Sequence, residues 1–261
     1  MDLSEVDSIW YRRPVNPTFG DDTPENIRNF TRDESREELL GLWRSINCLW
    51  VNHPDKNRLA ENKIEQIHRA HSYGFRISPT LITNKSDSAL DFIKNCNGRV
   101  IVKTLRQSFI QNSGRDLIIY TNIVDGNHLR HINLVQNCPV IFQAYVQKKS
   151  DIRVNVFGDE VYATEICSQR SNNEKVRVDW RRARINEIEH RPYELQEEIR
   201  EKTIKYTRSY GLEFDAFDFV LSKDDELFFL ELNPNGQWGW IEHLTKQPLR
   251  EALVRLLTRR R

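Results

Sequence analysis

The sequence has few cysteines, and none of them lie close together. Only four occur in 261 residues, at Cys48, Cys96, Cys138 and Cys167. No CxxC pair is present, so the sequence does not predict a zinc site. Scattered single cysteines are typical of reduced thiols, so we expect a cytoplasmic protein.

Long apolar runs are missing as well. Runs such as 140–142 and 227–230 are far too short for a membrane span, which takes about 20 apolar residues. Acidic residues closely follow Met1, whereas a secretory signal begins with a positively charged segment. The sequence therefore predicts neither a membrane partner nor secretion.

An excess of charge of either sign is also absent. The chain has 39 lysines and arginines against 38 aspartates and glutamates. General nucleic-acid binders usually carry a basic excess, so we expect no nucleic-acid partner. Hydrophobic residues make up 38% of the chain and charged residues 30%, which is typical of a globular protein with a well-solvated surface. The length allows one large domain or two subdomains.

Three common signatures of catalysis or nucleotide binding are lacking. The sequence contains neither GxxxxGK[ST] nor GxGxxG, so neither a P-loop nor a Rossmann fingerprint is predicted. No Ser/His/Asp or Cys/His arrangement occurs at a recognisable spacing. Any nucleotide site must therefore be built in another way.

Hydrophobic periodicity predicts a mixture of helices and strands. Helices are predicted over 36–47, 55–73, 86–95, 194–210 and 245–257. Strands are predicted over 99–103, 116–124 and 140–146, and hairpins over 152–166 and around Asp218 and Glu231. Helices come first, followed by strands with helices between them. This order favours an α+β fold with a largely antiparallel sheet.

The second predicted hairpin concentrates oxygen-bearing side chains. Glu231 and Asn233 share one face of a strand, because strand side chains alternate every two residues. Asp218 joins them if its own strand pairs antiparallel across the turn 223–226. Three hard oxygen ligands would suit Mg²⁺ held together with phosphates. The alternative is an ordinary hairpin with a polar end.

Two lysines and a later strand end could complete a nucleotide site. Lys103 ends a strand before a polar loop, from which it can reach a phosphate as a point charge. Lys63 lies on a predicted helix, where a solvated surface role is the simpler alternative. Tyr145 and Val146 end an apolar strand whose backbone could contact a planar ring.

The remaining polar candidates lie on the first hairpin and on an arginine-rich segment. Asp151 follows the strand end within reach of a ribose hydroxyl, and Arg153 shares its face. Segment 169–189 is long and polar, but Trp180 argues against disorder, so we expect a functional loop. Its Arg181 could hold an anion together with Arg153. The whole layout fits a nucleoside triphosphate between two sheets.

Several stretches of the chain also resemble a known family. They are residues 9–14, Asn57, Arg58, Lys63, Gln66, 79–84, 102–105, 142–143, 145–146, 151–154, 179–181, 230–234 and 236–237. In this order they resemble the ATP-grasp ligases and, within them, the microviridin-type (graspetide) peptide maturases. The resemblance covers nearly the whole chain. It implies the ATP-grasp fold, in which two α+β subdomains with largely antiparallel sheets hold a nucleotide between them.

The resemblance also implies the cofactors ATP and Mg²⁺ and a role for each candidate residue. Lys63 and Lys103 would bind phosphates, Tyr145 and Val146 would form the adenine hinge, and Asp151 would contact the ribose. Asp218, Glu231 and Asn233 would be metal ligands, and Arg153 and Arg181 would be catalytic. The implied reaction activates Asp or Glu side chains of a ribosomal precursor peptide as acyl-phosphates. A hydroxyl or amine then forms an ester or amide cross-link.

Two departures from the family pattern leave alternatives open. Ala144 stands where the hinge usually carries an acid, and few residues precede Trp10. We therefore expect residues 1–54 to be a shortened pre-ATP-grasp domain. Residues 55–261 would be the ATP-grasp domain, with a central part over 55–140 and a C-terminal sheet over 141–261. The alternatives are a ligase with another amine or amino acid acceptor and a catalytically impaired nucleotide-binding module. The resemblance suggests a homodimer.

Overall fold

The computed structural model describes residues 2–12, 14–15, 17–20, 23–106, 109–112 and 115–259. Arg13, which is part of the family-like stretch 9–14, lies outside these residues, as do positions 107–108 and 113–114 of the predicted polar loop. The α-helices are α1 (Glu25–Ser45), α2 (Pro54–Ala60), α3 (Lys63–Ser72), α4 (Ser86–Asn95), α5 (Gly126–Arg130), α6 (Glu174–Val178), α7 (Glu197–Ser209), α8 (Gly239–Thr245) and α9 (Leu249–Leu257).

The strands form two main sheets, a large one of five strands and a small one of four strands, together with two separate pairs of strands. They are β1 (Ser8–Trp10), β2 (Leu49–Val51), β3 (Thr80–Thr83), β4 (Val100–Lys103), β5 (Phe109–Asn112), β6 (Arg115–Ile118), β7 (Asn122–Ile123), β8 (Val140–Ala144), β9 (Lys148–Phe157), β10 (Glu160–Ile166), β11 (His190–Tyr193), β12 (Phe214–Ser222) and β13 (Leu227–Asn233). The large sheet has the order β11-β10-β9-β12-β13, and the small sheet has the order β3-β8-β4-β7.

Both main sheets are antiparallel throughout, which confirms the predicted fold class. Strands β5 and β6 pair with each other, and β1 pairs in parallel with β2. Both predicted hairpins are present, as β9–β10 and β12–β13. Within the described ranges, no helix combines the length and apolar character needed to cross a bilayer.

Alternation along β9 gives the large sheet two different faces. Ile152, Val154 and Val156 point to one face and join a core cluster with aromatic side chains of α7 and β12. Asp151 and Arg153 point to the opposite face, where they line a cavity. Because side chains of a strand alternate between faces, one strand contributes to both the core and the cavity.

Helices α8 and α9 cover only part of that opposite face. Phe157 of β9 and Phe214 of β12 pack there against Ile241 of α8 and Leu253 of α9. The rest of the face stays open toward the small sheet. The polar ends of the central strands therefore face a cleft rather than a helix.

Three predicted elements have different bounds in the structure. Helix α1 begins at Glu25 rather than at residue 36, because the polar stretch 25–40 contains neither glycine nor proline. The predicted helix 55–73 is two helices, since the Asn62 side chain caps the new helix by accepting from the N–H groups of Ile64 and Glu65. The last predicted helix, 245–257, begins only at Leu249 as α9. A further helix that was not predicted, α8, ends at Thr245, just before Lys246 at φ 61°.

The predicted strand 116–124 is also two strands. Strand β6 pairs with β5, and β7 pairs with β4. Between them, the backbone N–H of Thr121 donates to the carboxylate of Asp179 instead of to a neighbouring strand. This bond joins the small sheet to the arginine-rich segment.

Candidate active site

A cavity of about 840 Å³ lies between the large and the small sheet. All the candidate site residues of the sequence analysis line it. They are Lys63, Lys103, Tyr145, Val146, Asp151, Arg153, Arg181, Asp218, Glu231 and Asn233. The lysines come from α3 and the small sheet, and most of the others come from the large sheet. Residues that are far apart in the sequence therefore meet at one site.

Three oxygen-bearing side chains converge at one corner of this cavity. Asp218 pairs directly with Glu231 across β12 and β13, and an irregular register follows between Asp218 and Phe219. The Nδ2 atom of Asn233 lies 2.9 Å from Oδ2 of Asp218 and 3.5 Å from Oε1 of Glu231. The antiparallel pairing predicted from the sequence thus brings the three side chains together.

Cationic side chains neutralise both acids of this corner. The Nζ atom of Lys63 lies 2.9 Å from Glu231, and Nη1 of Arg153 lies 3.2 Å from Asp218. Burial raises the pKa of Asp218 to about 6, although Arg153 opposes the shift. Burial also acts to raise the pKa of Glu231, but Lys63, Lys103 and Arg181 outweigh it and lower that pKa to about 2. Both carboxylates are therefore largely ionised at pH 7.

Lys103 is a partly buried cation of the cavity, close enough for its charge to act on Glu231. Its Nζ atom donates to Oε1 of Gln143 at 3.0 Å, and Gln143 in turn donates to Thr80. Burial lowers the pKa of Lys103 to about 8, and the charges of Lys63 and Arg181 act in the same direction. An incoming anion would restore its full positive charge.

The arginine-rich segment is fixed to the small sheet above the cavity. Asp179 accepts two bonds from the Arg181 guanidinium, at 2.8 and 2.7 Å, and one from the N–H of Thr121 at 3.0 Å. Next to it, the Arg182 guanidinium lies 4.4 Å from the centre of the Tyr120 ring. These contacts aim the Arg181 side chain at the acidic corner, whose charges act on it.

Asp151 is engaged by two neighbours. Lys148 lies 2.7 and 2.8 Å from its two carboxylate oxygens, and the Ser168 hydroxyl donates to it at 2.6 Å. Lys148 also donates to the carbonyl of Val178. Burial raises the pKa of Asp151, with Lys148 opposing the shift. A ribose contact by Asp151 stays a prediction, and it would share the carboxylate with Lys148 and Ser168.

Tyr145 and Val146 follow strand β8 and line the cavity, and the charge of Asp151 acts on the Tyr145 side chain. The backbone N–H of Tyr145 donates to the carbonyl of Arg99 at 2.8 Å. An adenine contact through the Tyr145 backbone would therefore use its carbonyl oxygen. The predicted hinge role of the two residues stays a prediction.

Comparison with known protein families identifies the chain. The model for the RimK-like ATP-grasp domain matches residues 60–257, and the model for the MvdD pre-ATP grasp domain matches residues 1–58. The chain belongs to the ATP-grasp ligases. The family assignment agrees with the resemblance seen in the sequence. No curated protein matches this ligase.

Solved structures of similar ligases have the same fold. A RiPP-associated ATP-grasp ligase of Chryseobacterium gregarium, solved with ADP and a leader and core peptide, has a TM-score of 0.89 and 30% identity; the match covers 98% of this chain and 77% of that one. The macrocyclase MdnB of Microcystis aeruginosa MRC has a TM-score of 0.79 and 27% identity, over 99% and 79% of the chains. The macrocyclase MdnC of the same organism, bound to precursor peptide MdnA, has a TM-score of 0.85 and 24% identity. That match covers 98% of this chain and 79% of MdnC.

As an ATP-grasp ligase, the enzyme uses ATP and Mg²⁺. The cavity fits both. Four cationic side chains, Lys63, Lys103, Arg153 and Arg181, can offset a triphosphate, and two ionised acids with one amide suit Mg²⁺. Asn233 directs its Nδ2 at the acids, so ligation through Oδ1 needs a half-turn of the amide. The described residues contain no cluster of three or more His, Cys, Asp or Glu that would compete for a metal.

Two buried amides hold the acidic corner in place, and the sequence analysis did not find this role. Gln66 donates from Nε2 to the carbonyl of Leu232 and accepts the Leu232 N–H at Oε1, so it fixes the residue between Glu231 and Asn233. Asn52 donates to the carbonyls of Phe214 and Pro234. The sequence places Gln66, a polar residue, on the apolar face of α3, and this position indicates a buried polar role. Asn52 and Lys148 gave no comparable signal.

Replacing Gly236, in the turn that follows Asn233, is expected to destabilise the protein. A Cβ atom at Gly236 would lie 2.3 Å from the Cβ of Ala216 on β12, so the turn would have to move. We expect Gly236→Ala to lower the free energy of unfolding by about 1–3 kcal/mol in urea titrations and to reduce ADP release. Gly239→Ala is the matched control, because a Cβ there meets nothing within 4 Å. Equal stability of the two variants would contradict the prediction.

The affinity for ATP is expected to fall as the pH rises through about 8. The pKa of Lys103 is about 8 in the free protein, so its charge is lost above that pH while a phosphate contact needs it. We expect a limiting loss of about tenfold per pH unit, measured by calorimetry with ATP and Mg²⁺. In Lys103→Arg the dependence should flatten, since arginine stays charged. A flat profile in the wild type would exclude this role of Lys103.

Proposed function

We propose that this ligase activates Asp or Glu side chains of a ribosomal precursor peptide and joins them to hydroxyl or amine groups of the same peptide. The observation that carries the proposal is the similarity, over 98% of the chain, to a ligase solved with ADP and a leader and core peptide. The cavity supports it, because its cations suit both a triphosphate and a peptide carboxylate. The partner is thus a precursor peptide.

Different residues of the cavity would bind the adenine, the ribose and the phosphates of the nucleotide. Tyr145 and Val146 would contact the adenine, and Asp151 would contact the ribose together with its partner Lys148. Lys63 and Lys103 would bind the phosphates. Lys63 would then exchange its bond with Glu231 for a phosphate oxygen. Each charge would stay paired, because Mg²⁺ would replace Lys63 beside Glu231.

Asp218, Glu231 and Asn233 would hold Mg²⁺, which, when bound, supplies positive charge against the phosphate oxygens. Arg153 and Arg181 would hold the transferring phosphoryl group and the peptide carboxylate. A guanidinium suits both, because its planar fork matches the oxygens of phosphate and carboxylate. The Arg181 fork is already oriented by Asp179.

The reaction would proceed in two steps. A carboxylate oxygen of the peptide attacks the γ-phosphorus, the bond to the β-phosphate oxygen breaks, and ADP leaves. A hydroxyl or amine of the peptide then attacks the acyl carbon, loses its proton and expels phosphate. An ester or amide forms, and the peptide loses one water molecule per bond. Positioning and charge stabilisation are the main demands of the first step.

We also propose that the chain divides into two domains at residue 54. The two N-terminal strands, β1 and β2, pair with each other and not with a main sheet, which supports this division.

We further propose that the protein is a homodimer and is located in the cytoplasm. Size measurement in solution tests the dimer directly. A monomer at micromolar concentration would exclude it.

Intact mass measurement tests the proposed function. A candidate precursor, encoded next to the ligase gene and rich in Thr or Ser and in Asp or Glu, is incubated with enzyme, ATP and Mg²⁺. We expect losses of one or more water molecules per peptide with the wild type and none with Asn233→Ala. ADP release with an unchanged precursor, but with mass added to a free amino acid, would favour a ligase with another acceptor.

A further inference from the structure

An apolar wall lies inside the cationic cavity. It consists of Trp180, Ala183, Ile185 and Trp240, all of which line the cavity. The ring centroids of Trp180 and Trp240 are 5.4 Å apart, so the two indoles form one surface. Phosphates and Mg²⁺ are strongly hydrated and are not stabilised by apolar surface. The wall therefore serves a group other than the triphosphate and the metal.

Buried side chains pack against the wall on the side that faces away from the cavity. A small buried aliphatic cluster of Ile166, Val176 and Ile188 supports the two indoles. His190 contacts Trp240 edge-on, with ring centroids 5.1 Å apart. Burial lowers the pKa of His190, which disfavours a charge on this ring. A rigid, uncharged surface of this kind suits an apolar ligand group.

The two indoles of the wall adjoin Arg181 and the turn after Asn233. Trp180 directly precedes Arg181, whose guanidinium interacts with the charges of Glu231 and Asp218. Trp240 follows the turn 234–237, which continues the strand of Glu231 and also lines the cavity. Both indoles are thus attached to segments that shape the acidic corner.

We propose that the apolar wall binds a large apolar side chain of the peptide, adjacent in sequence to the residue whose carboxylate is activated. This inference rests on the proposed function. Charge complementarity directs the carboxylate to Arg153 and Arg181, and a neighbouring side chain then meets the indole beside Arg181. Removing a leucine-sized side chain from water strengthens binding roughly tenfold or more. The wall would therefore select which acidic residues are activated.

Equilibrium binding of two labelled synthetic peptides tests the proposal. Each peptide has the same length and a single glutamate, flanked on both sides by leucine in one and by serine in the other. Fluorescence anisotropy is measured with the full chain saturated with ADP and Mg²⁺. We expect the leucine peptide to bind roughly tenfold more tightly.

Variants at Ile185 locate the preference. Ile185 is 40% exposed at the cavity, and Ile27 is 47% exposed on α1 outside it, so Ile27→Ser is a matched control for Ile185→Ser. We expect Ile185→Ser to reduce the preference to about threefold or less. Ile185→Leu should restore the preference, and Ile27→Ser should leave it unchanged.

The outcomes separate this inference from the proposed function. Equal affinities for the two peptides, no binding of either, or a full preference in Ile185→Ser would overturn the role of the wall. A preference that follows Ile185, without water loss from any precursor in the mass experiment, would retain the wall and reject the ligation. Water loss without a preference would retain the ligation alone.

Discussion

Replacing Glu231 by glutamine is expected to abolish ADP release in the presence of ATP, Mg²⁺ and peptide. The change removes a charge from the acidic corner and leaves Lys63, 2.9 Å away, without its counter-ion. Outer-shell changes around a metal typically cost 10–100-fold, so loss of a direct ligand should reduce turnover by at least about 100-fold. A coupled assay of ADP formation measures the effect.

The matched control for this change lies on the same hairpin. Glu226 is near the turn between β12 and β13 and forms an exposed ion pair with Arg76. Glu226→Gln should therefore keep turnover within about twofold, because exposed ion pairs contribute little. Wild-type turnover in Glu231→Gln, with an unchanged unfolding midpoint, would exclude Glu231 as a metal ligand.

Arg181→Ala is expected to lower turnover far more than the affinity for ATP. Asp179 holds the guanidinium in two hydrogen bonds, and we propose that the held guanidinium contacts a group that forms during the reaction. Loss of one such contact to a transferring group typically costs about 100- to 1000-fold in turnover. Steady-state kinetics should show that kcat falls by this factor while the KM for ATP changes by less than about threefold.

Arg184 provides the control in the same segment. Its side chain is exposed and does not line the cavity, so Arg184→Ala should behave like the wild type. An equal loss of ATP binding and turnover in Arg181→Ala would place Arg181 on the nucleotide before the reaction. That result would leave Arg153, which lies 3.2 Å from Asp218, as the arginine of the transferring group.

The acidic corner was predictable from the sequence because it depends on short-range rules. Alternation places Glu231 and Asn233 on one face, and a polar turn between two apolar runs sets the antiparallel pairing with Asp218. The same reasoning applied to β9 predicted that Asp151 and Arg153 share a face. Strand period and turn chemistry are local properties, so one sequence is sufficient to find them.

Contacts between distant segments were not predictable in this way. Asn52 and Gln66 hold the corner through backbone groups of β12 and β13. The position of Gln66 on the buried face of α3 marks it as unusual but does not reveal its partner, and no spacing pattern marks Asn52. Lys148 reads as an ordinary polar residue after a strand, yet it is buried against Asp151. Such roles depend on which strands become neighbours. The break between α2 and α3 was missed for another reason, since Asn62 sits within a continuous apolar pattern.

The free cavity is already organised by charge pairs that a nucleotide and a metal would rearrange. Lys63 pairs with Glu231, and Arg153 pairs with Asp218. We therefore infer that Mg²⁺ and the nucleotide bind together, because each releases the ion pair that restrains the other. The exposed charges elsewhere on the surface contribute little to this coupling.

The most direct test of the account is transfer of oxygen from the peptide to phosphate. A precursor peptide with ¹⁸O in its side-chain carboxylates is incubated with enzyme, ATP and Mg²⁺, and the released phosphate is analysed by mass spectrometry. Activation as an acyl-phosphate predicts one ¹⁸O atom in the phosphate for each bond formed. Cross-linked peptide with unlabelled phosphate would contradict acyl-phosphate formation in this cavity.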